Sequence, residues 1–195
     1  MERIAKEKLD ESFQTALSGP SRDFKESSSN TSQALILALI LIYLVLAAQF
    51  ESFTDPFIIM ITVPLAIAGA LLSLWTLDQT LNIFSQIGII MLIGLVTKNG
   101  ILIVEFANKK RETGLAIKEA VLEAATQRLR PILMTSLATA LGALPIAISL
   151  GAAATSRKAL GTVVVGGLLF SLVLTLFVIP SVYTYLSSKH KKQID

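Results

Sequence analysis

A lysine lies deep within a long apolar stretch of this chain, where water is scarce. Lys98 lies in the stretch 86–107, about nine residues from its nearer end, which at 1.5 Å per helical residue is about 13 Å. A charge at such depth costs at least about 2.5 to 3.5 kcal/mol, so it usually faces a carboxylate or a wet cavity. Lys98 is therefore a candidate member of an ion pathway. The alternatives are a neutral, desolvated lysine and a structural ion pair with a neighbouring helix.

Two polar residues accompany Lys98 in the same stretch. Asn99 points about 100° away from it, which leaves a cross-helix hydrogen bond and a share in the lysine's task equally open. Glu105 follows seven residues later on the same face and about 10 Å nearer the end. It is a candidate proton mouth on the cytoplasmic side, or else a snorkelling surface acid. The other acids near the apolar stretches (Glu51, Asp55 and Asp78) fall in predicted loops, so Glu105 is the one acidic partner this chain offers Lys98.

The next apolar stretch begins with charge and carries hydroxyl groups. Arg128 and Arg130 precede Pro131, which we predict to lie near the first turn of a helix, where its missing N–H is harmless. Thr135 and Ser136 follow, and hydroxyls at that depth could pass or orient a proton. The alternative is that they bond to their own i−4 carbonyls or serve as small packing residues, as is common in membrane helices.

Several classes of site are disfavoured by composition. Cysteine is absent, and His190, the one histidine, lies in a polar tail without a second ligand or a triad partner. We therefore expect no catalytic residue, no metal and no cofactor other than protons as a coupling ion. The basic residues are not interleaved with aromatics on one patch, so we expect no nucleic-acid partner.

The elements that position these residues are apolar helices. Five uncharged or nearly uncharged stretches, each long enough to cross about 30 Å of hydrocarbon, occupy about 31–50, 56–77, 86–107, 131–154 and 159–188. Pro64 predicts a kink in the second stretch. Apolar residues spaced by three and four within the basic segment 108–130 predict a cytoplasmic amphipathic helix over about 114–127. The expected fold is an all-α membrane protein with five transmembrane helices plus this amphipathic helix.

Charge in the short loops predicts the orientation. The segment 108–130 holds six Lys or Arg residues and the tail 189–195 three more, against Arg22, Lys25, Arg157 and Lys158 on the opposite side. We therefore expect a cytoplasmic C-terminus and, with an odd number of spans, an N-terminus on the outer side, which the family resemblance described below makes the periplasm. The first span has its basic residues on the wrong side for a chain that starts there, which indicates that an upstream span normally sets the topology.

Three long motifs give the sequence a family resemblance. The runs LAAQFESFTDPF (46–57), GLVTKNGILIVEFAN (94–108) and RLRPILMTSLATALGALPIAI (128–148) resemble the C-terminal transmembrane half of resistance-nodulation-division (RND) efflux pumps of the hydrophobe/amphiphile class. The resemblance covers nearly the whole chain. It implies that residues 1–30 are the end of the periplasmic porter segment and that residues 31–188 are spans eight to twelve of a twelve-span bundle, followed by the basic cytoplasmic tail at 189–195.

The resemblance also implies functional roles. Lys98 matches the family's relay lysine, Arg128 and Thr135 match its relay arginine and threonine, and Asn99 is the motif asparagine. The implied protein is a multi-pass secondary transporter of the bacterial inner membrane, not an enzyme. It would be an antiporter driven by the proton-motive force that exports hydrophobic or amphiphilic compounds and confers multidrug resistance. The paired aspartates of the family's fourth span and its porter and docking domains are not in this sequence.

The implied partners are membrane lipid, the remainder of the pump, two further copies in a homotrimer, a periplasmic adaptor and an outer-membrane channel. Two alternatives stay open: a chain that only packs with membrane partners and transports nothing, and another RND exporter with protein or lipid as cargo. The cargo itself is not encoded in these residues.

Overall fold

The structure, a computed structural model, describes residues 20–149 and 154–191, with side chains for 31, 33–149 and 157–186. These residues form helices and contain no strand. The helices are α1 (Pro20–Phe50), α2 (Thr54–Met60), α3 (Thr62–Thr76), α4 (Ile83–Glu112), α5 (Ile117–Ala147) and α6 (Ala154–Lys191). Five segments of this part of the chain are long and apolar enough to cross a membrane, with α2 and α3 together forming one of them. The prediction of an all-α membrane fold with five spans is confirmed.

Local chemistry sets the ends of two helices. Ile61 separates α2 from α3, because Pro64 has no N–H to donate to the carbonyl of Met60 four residues earlier. The predicted kink is therefore a break between two helices. α4 begins with a capping box, in which Asn82 accepts a hydrogen bond from the Ser85 amide at 2.9 Å and Ser85 accepts one from the Asn82 amide at 2.8 Å.

The fourth span differs from the prediction. A separate amphipathic helix over about 114–127 and a span that begins at Pro131 were expected, but α5 runs unbroken from Ile117 to Ala147 with Pro131 inside it. The prediction of a break was wrong because the apolar residues of the basic segment have a helical partner. Val121 and Ala124 are buried in the same core cluster as Ala107 of α4, so this segment packs as part of a helical hairpin.

α6 lies at the centre of the bundle and packs against α2, α3, α4 and α5. Close approach at glycines makes this packing tight. A Cβ on Gly166 would stand 2.3 Å from Ser73 Cβ of α3, and one on Gly167 would stand 2.3 Å from Leu92 of α4. The Ser73 hydroxyl also donates to the carbonyl of Thr162 at 3.4 Å. α1 lies at the edge, where it contacts α2 and α4.

Gly161→Ala should destabilise the bundle more than any other glycine-to-alanine change at the α5–α6 contact. Its Cβ would lie 2.4 Å from the backbone nitrogen of Ala147, and backbone cannot move aside as a flexible side chain can. We expect a loss of about 1 to 3 kcal/mol in unfolding free energy, typical of overpacking, measured by thermal unfolding in detergent. Gly142→Ala is the matched control, since its Cβ meets nothing within 4 Å, and an equal effect of both changes would contradict the assigned packing.

Candidate functional site

α4 presents two different faces along its length. Residues that are buried against the rest of the bundle recur at helical spacing and are Leu92, Val96, Asn99 and Ile103. A second row at the same spacing is exposed and consists of Ile87, Met91, Gly94 and Lys98. A Cβ added to Gly94 would meet no described atom within 4 Å, so this side of α4 is open within the described part of the chain. The lysine singled out from the sequence lies on that open side.

Lys98 makes no hydrogen bond or ion pair within the part of the chain that the structure describes. The candidate acidic partner on its own helix, Glu105, instead bonds to Lys109 at 2.8 Å in an exposed i,i+4 pair. Such surface pairs contribute about 0 to 1 kcal/mol, so Glu105 is held only weakly and stays accessible. Of the two interpretations of Glu105, the geometry at present matches the surface acid, and a role at a proton mouth stays a prediction.

Asn99 joins α4 to α5. Its Nδ2 donates to Ser136 Oγ at 3.1 Å, and both side chains are buried. The cross-helix bond that the sequence left open is therefore present. Ser136 accepts this bond, whereas the neighbouring Thr135 is exposed and bonds to carbonyls of its own helix, at 3.0 Å to Pro131 and 3.2 Å to Ile132. The backbone-bonding alternative for Thr135 matches this structure, which leaves a relay role as a prediction.

The Asn99–Ser136 bond shows that Lys98 and Thr135 face the same way. α4 and α5 are antiparallel, since Lys110 pairs with Glu123 at 2.6 Å near the loop between the helices. Lys98 precedes Asn99 by one residue and Thr135 precedes Ser136 by one, so each is turned about 100° from the shared bond. In antiparallel helices these rotations have opposite sense, and both side chains emerge on one side of the hairpin.

Arg128 lies one layer closer to the end of the bundle that carries Lys109 to Arg111, here called the basic end. Its guanidinium carbon is 4.6 Å from the centroid of the Phe106 ring, a cation–π contact between α5 and α4. Arg128 Nε is buried and has no hydrogen-bond partner among the residues that the structure describes. Arg128 is seven residues from Thr135, as Glu105 is from Lys98, so the four residues form two layers about 10 Å apart along the helix axes.

The structure therefore brings the predicted site residues together on two adjoining helices. It does not supply an acid for Lys98, and among the described residues no group of three His, Cys, Asp or Glu side chains could hold a metal ion. Sequence reasoning missed a polar network at the basic end that joins Asp55, Asn108 and Tyr183. These residues are separated by 53 and 75 positions, and the only signal in the sequence was a polar residue at the end of each apolar stretch.

Five apolar spans, of which three pack against the central helix α6 and α1 lies at the edge, define a polytopic membrane protein with an ionisable side chain on one open face. The chain belongs to the AcrB/AcrD/AcrF family of RND transporters, whose sequence profile matches residues 1–187. The family predicted from the three sequence motifs is therefore confirmed.

Individual relatives agree with this assignment. The chain is 42% identical, over 98% of its length, to an uncharacterized transporter of Haemophilus influenzae, and 40% identical, over 93% of its length, to the multidrug resistance protein MdtC of Erwinia amylovora. Among solved structures, a heavy metal efflux pump superposes on 96% of the chain with a TM-score of 0.84 and 31% identity. The chain spans about a fifth of the length of these relatives, at 18% to 19%.

Proposed function

We propose that this chain is part of an inner-membrane antiporter that exchanges protons for hydrophobic or amphiphilic compounds, with Lys98 as the cationic member of its proton relay. The observation that carries the proposal is the position of Lys98, exposed on an open face in the middle of a span and unpaired within the described residues. Lipid cannot solvate such a charge cheaply. A further helix bearing a carboxylate has to cover this face.

The open face is suited to receive a transmembrane helix. Beside the larger Ile87 and Met91, this face carries small exposed residues, namely Gly94 of α4 and Thr135, Ala138 and Gly142 of α5. A Cβ at Gly94 or Gly142 would meet nothing within 4 Å in the described ranges, so a neighbouring backbone can approach closely. Small residues next to Lys98, a cation deep within the span, therefore favour an acid-bearing partner helix over a lipid surface.

Coupling follows from the charge on the partner acid. A deprotonated carboxylate attracts Lys98, whereas a protonated one releases it, and a buried ion pair and a neutralised one favour different helix packings. Arg128 and Glu105, one layer closer to the basic end, would extend this polar track toward the cytoplasm. Thr135 would orient the transferred proton next to Lys98. In this proposal the basic end faces the cytoplasm, because Lys and Arg are concentrated in the loops and tail at that end.

The proposed cargo class is supported by the relative named as a multidrug resistance protein, while the heavy metal efflux pump favours a metal ion as the second candidate. Bacteria that lack their own exporters and express the complete transporter should accumulate less of an amphiphilic cationic dye. Adding a protonophore should abolish the difference. Tolerance to copper, zinc or cadmium without any dye efflux would overturn the assigned cargo, and no transport of either kind would favour a chain that only packs with membrane partners.

A further inference from the structure

Four side chains at the basic end form an unbroken chain of hydrogen bonds across three helices. The Arg111 guanidinium of α4 donates to the Tyr183 hydroxyl of α6 at 3.2 Å. The Tyr183 O–H donates to Oδ1 of Asn108, again on α4. The Asn108 Nδ2 then donates to the carboxylate of Asp55 in the first turn of α2 at 2.7 Å. The hydrogen-bond series therefore has a cation, Arg111, at one end and an anion, Asp55, at the other.

The direction of donation is the same at every step, so each bond polarises the next and strengthens it. Bonds that involve the two charged ends are about twice as strong as neutral ones. Tyr183 is fully buried at 0% exposure, and the Arg111 guanidinium also lies 6.0 Å from its ring centroid. Asn108 uses its carbonyl oxygen and its amide nitrogen for different partners, which fixes the orientation of its side chain.

This series of hydrogen bonds contacts α4 at positions that lie away from the open face. Asn108 follows Lys98 by ten residues and Arg111 follows it by thirteen, which places them about 80° and 140° around the helix from Lys98. Rotation of α4 by one residue would move these groups by about 100°, and the bonds to α6 and α2 would break together. The hydrogen-bond series thus fixes both the rotation of α4 about its axis and its position along the axis, and α4 carries Lys98.

We propose that Arg111, Tyr183, Asn108 and Asp55 form a latch that positions Lys98 on the open face by tying α4 to α6 and α2. The four are positioning residues that act through α4 and touch neither cargo nor the transferred proton. The inference rests on the function proposed for Lys98. It adds to that function a requirement for intact contacts on other sides of the helix, more than two helical turns away.

Swapping the residues at positions 108 and 55 tests the latch in the complete transporter. Asn108→Asp places a second carboxylate against Asp55, and like charges at hydrogen-bond distance repel. Adding Asp55→Asn restores every bond, because the introduced carboxylate accepts from Tyr183 and from the introduced amide. We expect Asn108→Asp to lower the maximal transport rate of an amphiphilic dye roughly tenfold and the double change to recover most of it. The dye concentration that gives half-maximal rate should not change.

Backbone amide exchange supplies a readout that is independent of transport. In Asn108→Asp, the amides of residues 181–186 should exchange roughly tenfold faster, and the double change should return them to the parent rate. Tyr183→Phe, which keeps the buried ring, should also accelerate exchange.

Two results would overturn the latch. One is additivity, in which Asp55→Asn does nothing to relieve Asn108→Asp. The other is recovery of amide exchange with no effect of any variant on the transport rate, which would leave a packing contact without a positioning role. Failure of the function proposed for Lys98 has a different signature, since Lys98→Ala would then still transport while the exchange rates at 181–186 followed the latch variants.

Discussion

Lys98→Ala is expected to abolish transport by the complete transporter while leaving its amount in the membrane unchanged. The charge is required because an uncharged residue cannot alternate between pairing with a carboxylate and release from it. The fold of this part does not depend on Lys98, since the side chain makes no hydrogen bond or ion pair within the described residues. Dye efflux from cells and quantification of the membrane-inserted protein provide the two measurements.

Lys109→Ala is the matched control for this change. It removes an exposed lysine of the same helix whose one ion pair within the described residues is with Glu105 at the surface, at a cost of about 0 to 1 kcal/mol. Transport should therefore persist. Full transport by Lys98→Ala, or an equal loss with Lys109→Ala, would remove the basis for assigning the relay to Lys98.

Arg128→Gln should reduce transport at least roughly tenfold, the second largest effect that we expect. It removes the fixed cation one layer below Lys98 together with its contact to the Phe106 ring, which at 4.6 Å contributes roughly 0.5 to 2 kcal/mol. Arg128→Lys should retain part of the activity, because it keeps the charge without the planar guanidinium. Initial rates of dye efflux at saturating dye measure the effect.

Arg130→Gln serves as the control, because Arg130 is exposed and lies two residues away on the same helix. It should transport at nearly the parent rate. If the two glutamine variants lose activity to the same degree, a general effect of positive charge at the basic end explains the loss, and Arg128 has no special role.

The five spans could be predicted from the sequence because each one is recognisable from its own length and apolar composition. Each uncharged stretch is long enough to cross a bilayer by itself, whatever its neighbours are. The continuity of α5 through Pro131 could not be predicted in the same way. Whether residues 117–130 lie on the membrane surface or continue the helix depends on the burial of Val121 and Ala124 against α4, which is a tertiary contact.

The sequence predicted which residues belong to the candidate site but not which way they face, because their directions depend on tertiary contacts. Lys98 is recognisable because a lysine deep in a span is costly anywhere, and the motif around it indicated the family. Its direction depends on which face of α4 packs against α6, and periodicity alone does not decide this when both faces are apolar. Asn99 found its partner in Ser136, one of two adjacent hydroxyl residues that the sequence could not distinguish.

The latch was beyond prediction because its members come from distant parts of the chain. Asp55 was assigned to a loop, yet it lies in the first turn of α2, where it accepts from Asn108. Tyr183 belongs to an apolar stretch in which a tyrosine has no special appearance. Only the packing of α6 beside α4 brings the phenol and the amide together.

Proton movement during transport tests the proposed coupling through Lys98 most directly. The complete transporter would be reconstituted into vesicles that contain a pH-sensitive dye, and amphiphilic cargo would be added on the loading side. The parent should move protons in the direction opposite to the cargo, and only when cargo is added. Lys98→Ala should move neither protons nor cargo. Cargo transport by Lys98→Ala with an undiminished proton signal would contradict the assigned relay.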